Sequence, residues 1–361
     1  MKELLTSEAV SIGHPDSTSD GAVAYLTDRY LERDPMSKVA LECQFKDKFI
    51  TVSGEVTSKA GYSDDEIKSF IREAVNKIGY TKSYQGKFGK DCVSCDEDLD
   101  IVLHISKQSP DIAQGVTGSQ AGWGDQGIYW GMATPDAKTE YLPKDYYLAR
   151  KIARCLFDEV REPDSLLQSC GLDIKTQVTL EDGEPKVVVV AIPSTKDVNK
   201  EVTDIVLSVL NEVCGVFAVE GLKIIINGTG KYQIHSSVGD CGTTGRKLAV
   251  NFYGGNCRIG GGAVFGKDPS KSDVALNCYA RYLARKYMEE HGNQATRYCS
   301  IAGCIGKPEI RVVIYDEHNK QLDTWTESKR PDEIIDMMKL REPKWFSRCW
   351  YGLFGNSNDS I

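Results

Sequence analysis

The chain has 361 residues, 41% of them hydrophobic and 27% charged, a balance that describes a folded globular protein of two or three domains with room for a large core. Its formal net charge of −8, with no long Lys/Arg stripe to offset it, excludes nucleic acid as the main partner and suits a small anionic ligand better. The N-terminus (MKELLTSEAVSIGHPD) lacks an apolar signal core, no stretch approaches membrane-spanning length, and the twelve cysteines show no paired zinc spacing, so a reduced, cytoplasmic protein with no membrane partner is expected.

In chain order, Gly13-His14-Pro15-Asp16 makes a turn before a helix expected over 18–33, which stops ahead of Pro35. One His and one Asp on such a turn suit a phosphate oxygen and a magnesium ion, although Asp16 or Ser17 as a plain helix cap is the simpler local reading. Alternating runs at 38–45 and 49–57 predict a β-hairpin, with Val39, Leu41, Cys43 and Phe45 on one face and Glu42 on the other. Glu55, just after Gly54, reads like Glu42 as a water-facing residue. Ser63 and Glu66 form a capping box for a helix ending at Ile78, with Gly79 as its stop. Residues 80–100 read as a loop and 101–106 as a strand. The glycine-rich stretch 114–131, with Asp125 in it, reads either as a lid or as an ordinary surface loop. A helix over 145–161, strands at 175–180 and 186–192, a helix over 198–213 and a strand at 222–227 follow.

Residues 239–273 hold two glycine-rich turns that each close on basic residues: Gly242, Gly245, Arg246, Lys247, then Gly260, Gly261, Gly262, Gly266, Lys267. Glycine lets backbone N–H groups approach a ligand closely, and lysine or arginine beside such a turn suits a polyphosphate. A P-loop fits only in part, because Asp268 stands where Ser or Thr must hold magnesium. Asp268 and Pro269 instead read as the N-cap and first residue of a helix to Glu290, with Lys267, Lys271 and Asp273 gathered at its start. Strands at 297–305 and 310–315 and a helix at 331–339 complete a pattern of α+β layers in about three domains.

Six blocks, in this order, resemble those of the methionine adenosyltransferase (S-adenosylmethionine synthetase) family. They are Gly13-His14-Pro15-Asp16, Lys107-Gln108-Ser109-Pro110-Asp111-Ile112, Gly124-Asp125-Gln126-Gly127, Lys175-Thr176-Gln177-Val178-Thr179, 239–247 and 260–273. Tyr351-Gly352-Leu353-Phe354-Gly355 resembles the family's terminal motif, so the likeness spans nearly the whole chain. It implies three similar two-layer α/β-sheet domains, interleaved in sequence and approximated by 1–112, 113–235 and 236–361. It implies an obligate homodimer, with a dimer of dimers as the next assembly, and active sites between subunits. The implied reaction is attack of the L-methionine sulfur on C5′ of ATP, followed by hydrolysis of the expelled triphosphate to pyrophosphate and phosphate.

By the same resemblance His14, Lys175, Arg246 and Lys267 are catalytic. Asp173, Lys231, Tyr232, Asp240, Lys247, Ala263 and Lys271 join them around ATP. Glu55, Gln108 and Asp125, with Asp240 and Lys271, take methionine. Asp16 and Asp273 ligate two magnesium ions, and Glu42 ligates potassium. Ile12 and Ser17 replace the family's acid and lysine around the first motif, the segment before Gly124 is short, 229–237 reads TGKYQIHSS where the family has an Arg-Phe pair and two glycines, and Asn356 replaces an arginine. These departures support an alternative, a weakly catalytic ATP-binding homologue acting as a regulatory or accessory subunit, and lead to the expectation that Ser17→Lys raises the rate.

Overall fold

The computed structural model describes residues 3–107, 122–215, 221–292 and 294–355. The chain begins with β1 (Leu4–Val10), α1 (Pro15–Arg33), β2 (Lys38–Lys46), β3 (Phe49–Thr57), α2 (Asp64–Ile78), a short α3 (Lys82–Phe88) and β4 (Asp100–Ser106). Its middle gives β5 (Gly127–Ala133), α4 (Lys144–Arg161), β6 (Lys175–Glu181), β7 (Glu184–Ala191), α5 (Asn199–Cys214) and β8 (Lys223–Ile226). The last part holds β9 (Gly242–Thr243), α6 (Ser272–Glu290), β10 (Arg297–Gly303), β11 (Glu309–Tyr315), β12 (Gln321–Ser328), α7 (Pro331–Met337) and α8 (Trp345–Tyr351).

These strands form three four-stranded sheets, ordered β9-β2-β3-β4, β1-β6-β7-β8 and β5-β10-β11-β12. The first two are built alike. Each has a central antiparallel hairpin, an antiparallel strand on one side and a parallel strand on the other. A parallel neighbour requires a crossover, and α2 and α5 lie in the two crossovers. The third sheet has no such parallel strand, because β12 follows β11 directly as an antiparallel partner. In every sheet one edge strand comes from elsewhere in the chain: β9 joins the N-terminal hairpin, β1 the central one and β5 the C-terminal one. That exchange interleaves the three units.

Each sheet is backed by a long helix: α1 on β2, α4 on β1 and β6, and α6 on β5 and β10. A further helix packs on each of these, α2 on α1, α5 on α4 and α7 on α6. α2 shows why the sequence folds this way. Ser63 and Glu66 satisfy each other's backbone N–H groups, Gly79 ends the helix at φ 117°, and Ile67, Ile71, Ala74, Val75 and Ile78 are buried at helical spacing. Burial of each large aliphatic side chain stabilises the fold by roughly 1.5–3 kcal/mol. The outward face of β2-β3-β4 carries Glu42, Phe49 and Val102, the two apolar ones 53% and 43% exposed. Among the described residues no helix is long and apolar enough to cross a membrane.

Several expectations are corrected. Residues 127–133 are β5, hydrogen-bonded along β10, and not part of a lid. Glycine here serves close packing: a Cβ on Gly131 would lie 2.2 Å from the backbone of Ala280 and Arg281 in α6. The stretch 80–100 contains α3 and a short 3-10 turn, Asp96–Asp98. α6 starts at Ser272, so Asp268 is not its N-cap; that carboxylate accepts instead from the N–H groups of Val39 and Ser270, both at 2.9 Å. β12 and α8 lie where no element is predicted, and β12 is mostly exposed, which leaves little apolar alternation to read.

Gly131→Ala is expected to destabilise the protein by about 1–3 kcal/mol, since two backbones must separate to admit one methyl group. A urea midpoint equal to that of the wild type contradicts this.

Candidate active site

The turn before α1 is set by its backbone. The Tyr80 hydroxyl donates to the Gly13 carbonyl, and His14 caps the helix with Nδ1 accepting from the Asp16 N–H at 3.2 Å. Asp16 is buried, with Oδ1 accepting from Thr243 N at 2.9 Å and facing Arg246 Nε at 3.5 Å, while Oδ2 meets Lys247 Nζ at 2.6 Å. One helical turn on, buried Asp20 accepts from Gly245 N at 2.9 Å and from Asn251 Nδ2 at 3.1 Å. Two carboxylates four residues apart share one face of a helix. Here they hold the first glycine loop by its own amides. Burial pushes the Asp20 carboxyl up to about 7.

The second loop is organised by α6. Asp273 Oδ1 accepts from Gly262 N at 2.8 Å, its other oxygen pairs with Lys267, and Asn277 Nδ2 reaches the Gly260 carbonyl at 3.1 Å. Leu41 N donates to Gly266 O at 2.8 Å, which ties this loop to β2. The loops touch each other, because a Cβ on Gly245 would come within 2.8 Å of the Ala263 side chain. Ala263 is the residue against which they meet.

Two further segments add Asp173 and Lys175, at the start of β6, and Tyr232, beyond β8. Asp173 is buried and accepts from Ser236 N at 2.7 Å, with burial pushing its carboxyl up to about 6. Lys175 Nζ pairs with Glu8 at 2.9 Å across β1 and β6. His14 lies in the fields of Lys247, Asp16, Lys175 and Asp240; burial first, then Lys247, push its pKa down to about 4. Its ring is therefore neutral near pH 7. With Nδ1 accepting, the proton sits on Nε2 as a hydrogen-bond donor.

Other predicted residues stand apart from this cluster. Glu42 lies opposite Ser53 and Glu55 opposite Ala40, both on the outward face of the β2-β3 hairpin. Ala40 also bridges to Lys267, so that face adjoins the second loop. Asp125 is exposed ahead of β5 and caps its own turn through Gln126 N. Its charge and that of Asp273 both act on Tyr129. Lys231 is exposed and lines, with Tyr232, Ser194 and Asn227, a cavity of about 360 Å³. Lys271 is the residue before α6 and makes no side-chain cap. Gln108, the lid stretch 114–121 and Asn356 lie outside the described residues.

Asp20, Glu8, Asn251, Ser236 and Asn277 belong to the site and were not predicted from the sequence. The spacing of Asp20 from Asp16 was a usable signal; Glu8 has none until the β1–β6 register is known. Ile12 and Ser17 are both buried and line one small cavity of about 40 Å³ with Phe157, Cys349 and Trp350. The two positions that depart from the resembled motif are thus neighbours.

Among the described residues no group of three His, Cys, Asp or Glu is placed to hold a metal ion. Asp16 and Asp273 each offer an oxygen ligand beside a lysine-rich loop. That set fits magnesium, which takes one or two carboxylates and completes its shell with water and substrate phosphate.

Two variants test these placements. Unfolded Asp20 ionises near 3.8 and folded Asp20 near 7, so its contribution to stability is full at acid pH and is lost as pH rises through about 7. Asp20→Asn cannot ionise, and its stability is expected to fall less than the wild type's between about pH 5 and 8; parallel denaturation curves across that range contradict it. Ser17→Lys places an unpaired ammonium in an enclosed cavity, so a lowered melting midpoint is expected in place of a faster rate. Ile12→Glu added to it should restore part of the loss by pairing the charge, and no recovery in the double variant counts against the shared cavity.

Three family models match in order: S-adenosylmethionine synthetase N-terminal domain over residues 2–110, central domain over 120–232 and C-terminal domain over 234–360. The S-adenosylmethionine synthase of Desulforudis audaxviator is 34% identical, covering 99% of this chain and 94% of that protein. That of Brachyspira hyodysenteriae is 33% identical over 97% and 92% of the two chains. Among solved structures, an unusual S-adenosylmethionine synthetase from Campylobacter jejuni superimposes with a TM-score of 0.85 at 28% identity, covering 99% and 96%. With the paired glycine loops and the three interleaved sheets, these matches make the chain a member of the S-adenosylmethionine synthetase family.

Proposed function

We propose that this chain joins L-methionine to ATP, the sulfur displacing the whole triphosphate from C5′, and then hydrolyses the triphosphate to pyrophosphate and phosphate. The observation that carries the reading is the meeting of two glycine loops at Gly245 and Ala263, each loop holding its lysine against an aspartate. A thioether is a neutral nucleophile and needs no general base. What it needs is alignment with C5′ and stabilisation of the charge that grows on the leaving triphosphate.

The chain supplies both. Arg246, Lys247 and Lys267 stand on the loops, and Lys175 stands on β6 within the field of His14. His14 Nε2–H is a neutral donor for a phosphate oxygen, and the Gly262 amide, held on Asp273, fixes the shape of the second loop. Asp16 and Asp273 would hold magnesium, which neutralises polyphosphate charge when bound; Glu42 would hold potassium. The phosphates then offer Lys247 and Lys267 a stronger anionic partner than the carboxylates they face now. Asp173 and Tyr232 line the nucleoside side, with Lys231 at its edge and Asp240 and Lys271 between nucleotide and amino acid. Glu55, Gln108 and Asp125 are assigned to methionine. Glu42 and Glu55 share the outward face of their sheet with exposed Phe49 and Val102, which fits a homodimer that closes the site with a second copy.

The deciding assay incubates the protein with ATP, methionine, Mg²⁺ and K⁺, resolving nucleosides by chromatography and phosphates by phosphorus NMR. S-adenosylmethionine with pyrophosphate and phosphate is expected. ADP as product overturns the reading, and ATP binding without product supports the regulatory homologue instead. Lys267→Ala and Asp16→Asn are each expected to lower kcat by about a hundredfold or more while the fold survives; full turnover in either removes that residue from the site.

A further inference from the structure

His235 is buried between α3 and the segment that runs to Asp240. Its Nδ1 lies 2.7 Å from the Gln233 carbonyl oxygen and its Nε2 lies 2.8 Å from the Tyr84 hydroxyl. A carbonyl oxygen only accepts, so Nδ1 carries the proton; in the neutral ring Nε2 is then bare and the Tyr84 O–H donates to it. The same Tyr84 oxygen accepts the Leu172 N–H at 2.8 Å. With the neutral ring in this tautomer every donor and acceptor of the relay is paired. A charged ring makes both nitrogens donors and strips the Tyr84 proton of its acceptor.

Both ends of this relay abut the nucleotide segment. Leu172 immediately precedes Asp173, and Ser236, which follows His235, donates its N–H to the Asp173 carboxylate at 2.7 Å. Ser236 has φ 53°, a left-handed conformation that costs a non-glycine residue on the order of 1–2 kcal/mol. Asp240 N then donates to the Ser236 carbonyl at 3.0 Å. Phe88 closes on the His235 ring edge-on at 4.8 Å, and Gly171 leaves room for the relay, since a Cβ there would come 2.8 Å from the Tyr84 hydroxyl oxygen.

We propose that His235, gripped by Tyr84, is a positioning residue for ATP: it holds Ser236 in its left-handed turn and thereby sets the Asp173 and Asp240 carboxylates, an inference that rests on the S-adenosylmethionine synthesis reading. The titratable groups facing the ring are Tyr84 and Lys87 from α3 and Tyr232 from its own segment, with Asp173 reached through Ser236. Burial, aided by Lys87 and opposed by the Gln233 carbonyl, pushes the ring's pKa down to about 4, which agrees with the neutral form that keeps the Tyr84 proton paired.

Tyr84→Phe keeps the aromatic packing and removes only the hydroxyl. It is expected to raise KM for ATP about tenfold, near the low end of what two lost hydrogen bonds cost, the one to His235 Nε2 and the one from the Leu172 N–H, with kcat and KM for methionine changed less than about twofold. The bare Nε2, relieved of its donor, protonates more readily, so kcat/KM for ATP should fall at a higher pH than in the wild type. Unchanged KM for ATP, or a pH profile identical to the wild type's, overturns the inference. Nitrogen NMR of the five histidines gives a second reading on the wild type itself, with the His235 signal assigned by its loss in His235→Asn. A neutral Nδ1–H tautomer at pH 7 is expected, and an Nε2–H tautomer or a charged ring overturns it. Failure of the wild type to form S-adenosylmethionine defeats the functional reading alone; calorimetric Kd for ATP in wild type and Tyr84→Phe still tests the positioning role, where equal values overturn it.

Discussion

The site depends on the face of α1 that presents Asp16 and Asp20 to the first glycine loop. Two carboxylates fully buried on one helix would each cost several kcal/mol without partners. Thr243 and Gly245 amides, Asn251 and Lys247 supply those partners. The loop gains as much as the helix does. Glycine-rich backbone has few side chains to pack, so hydrogen bonds to fixed carboxylates are the means available for giving it one shape. Asp273 does the same for the second loop from the start of α6.

This arrangement also permits cations to be concentrated before a ligand arrives. Lys247 faces Asp16, Lys267 faces Asp273 and Lys175 faces Glu8, so each lysine stands beside its own carboxylate. Their mutual repulsion is offset locally, and the positions are held in advance of the triphosphate. On the proposed reading, a polyanion with its metal ions competes for both members of each pair. Preorganised charge of this kind stabilises a developing leaving group without reorganisation at the moment of reaction. The Ile12–Ser17 cavity lies outside the pairs.

The exchange of edge strands explains why residues so far apart in sequence converge. β1 carries Glu8 to Lys175 on β6, and β9 brings the first glycine loop beside β2. The second loop contacts β2 through Gly266 and Ala40, and the β5 backbone through Asn277. The site therefore lies where the interleaved units join, and no one of them contains it.

Much of this was legible in the sequence, for physical reasons that can be named. Capping chemistry and 3.6-residue periodicity mark α2, alternation marks the β2-β3 hairpin, and glycines next to lysine and arginine mark the two glycine loops proposed to hold phosphate, because each signal lies within a few residues of itself. The order of six motif blocks was enough to indicate the family. What the sequence could not show were properties of long-range packing. Whether the glycines of 127–131 meant flexibility or close approach was decided by α6 lying against Gly131. Whether Asp268 capped a helix was decided by β2, whose Val39 N–H it accepts. Glu8 became a site residue only through the register of β1 on β6, and Ser17 became a cavity residue only through α4 and α8. Local stereochemistry is written in neighbouring residues, whereas the partner of a buried charge is chosen by whichever distant element the fold brings against it.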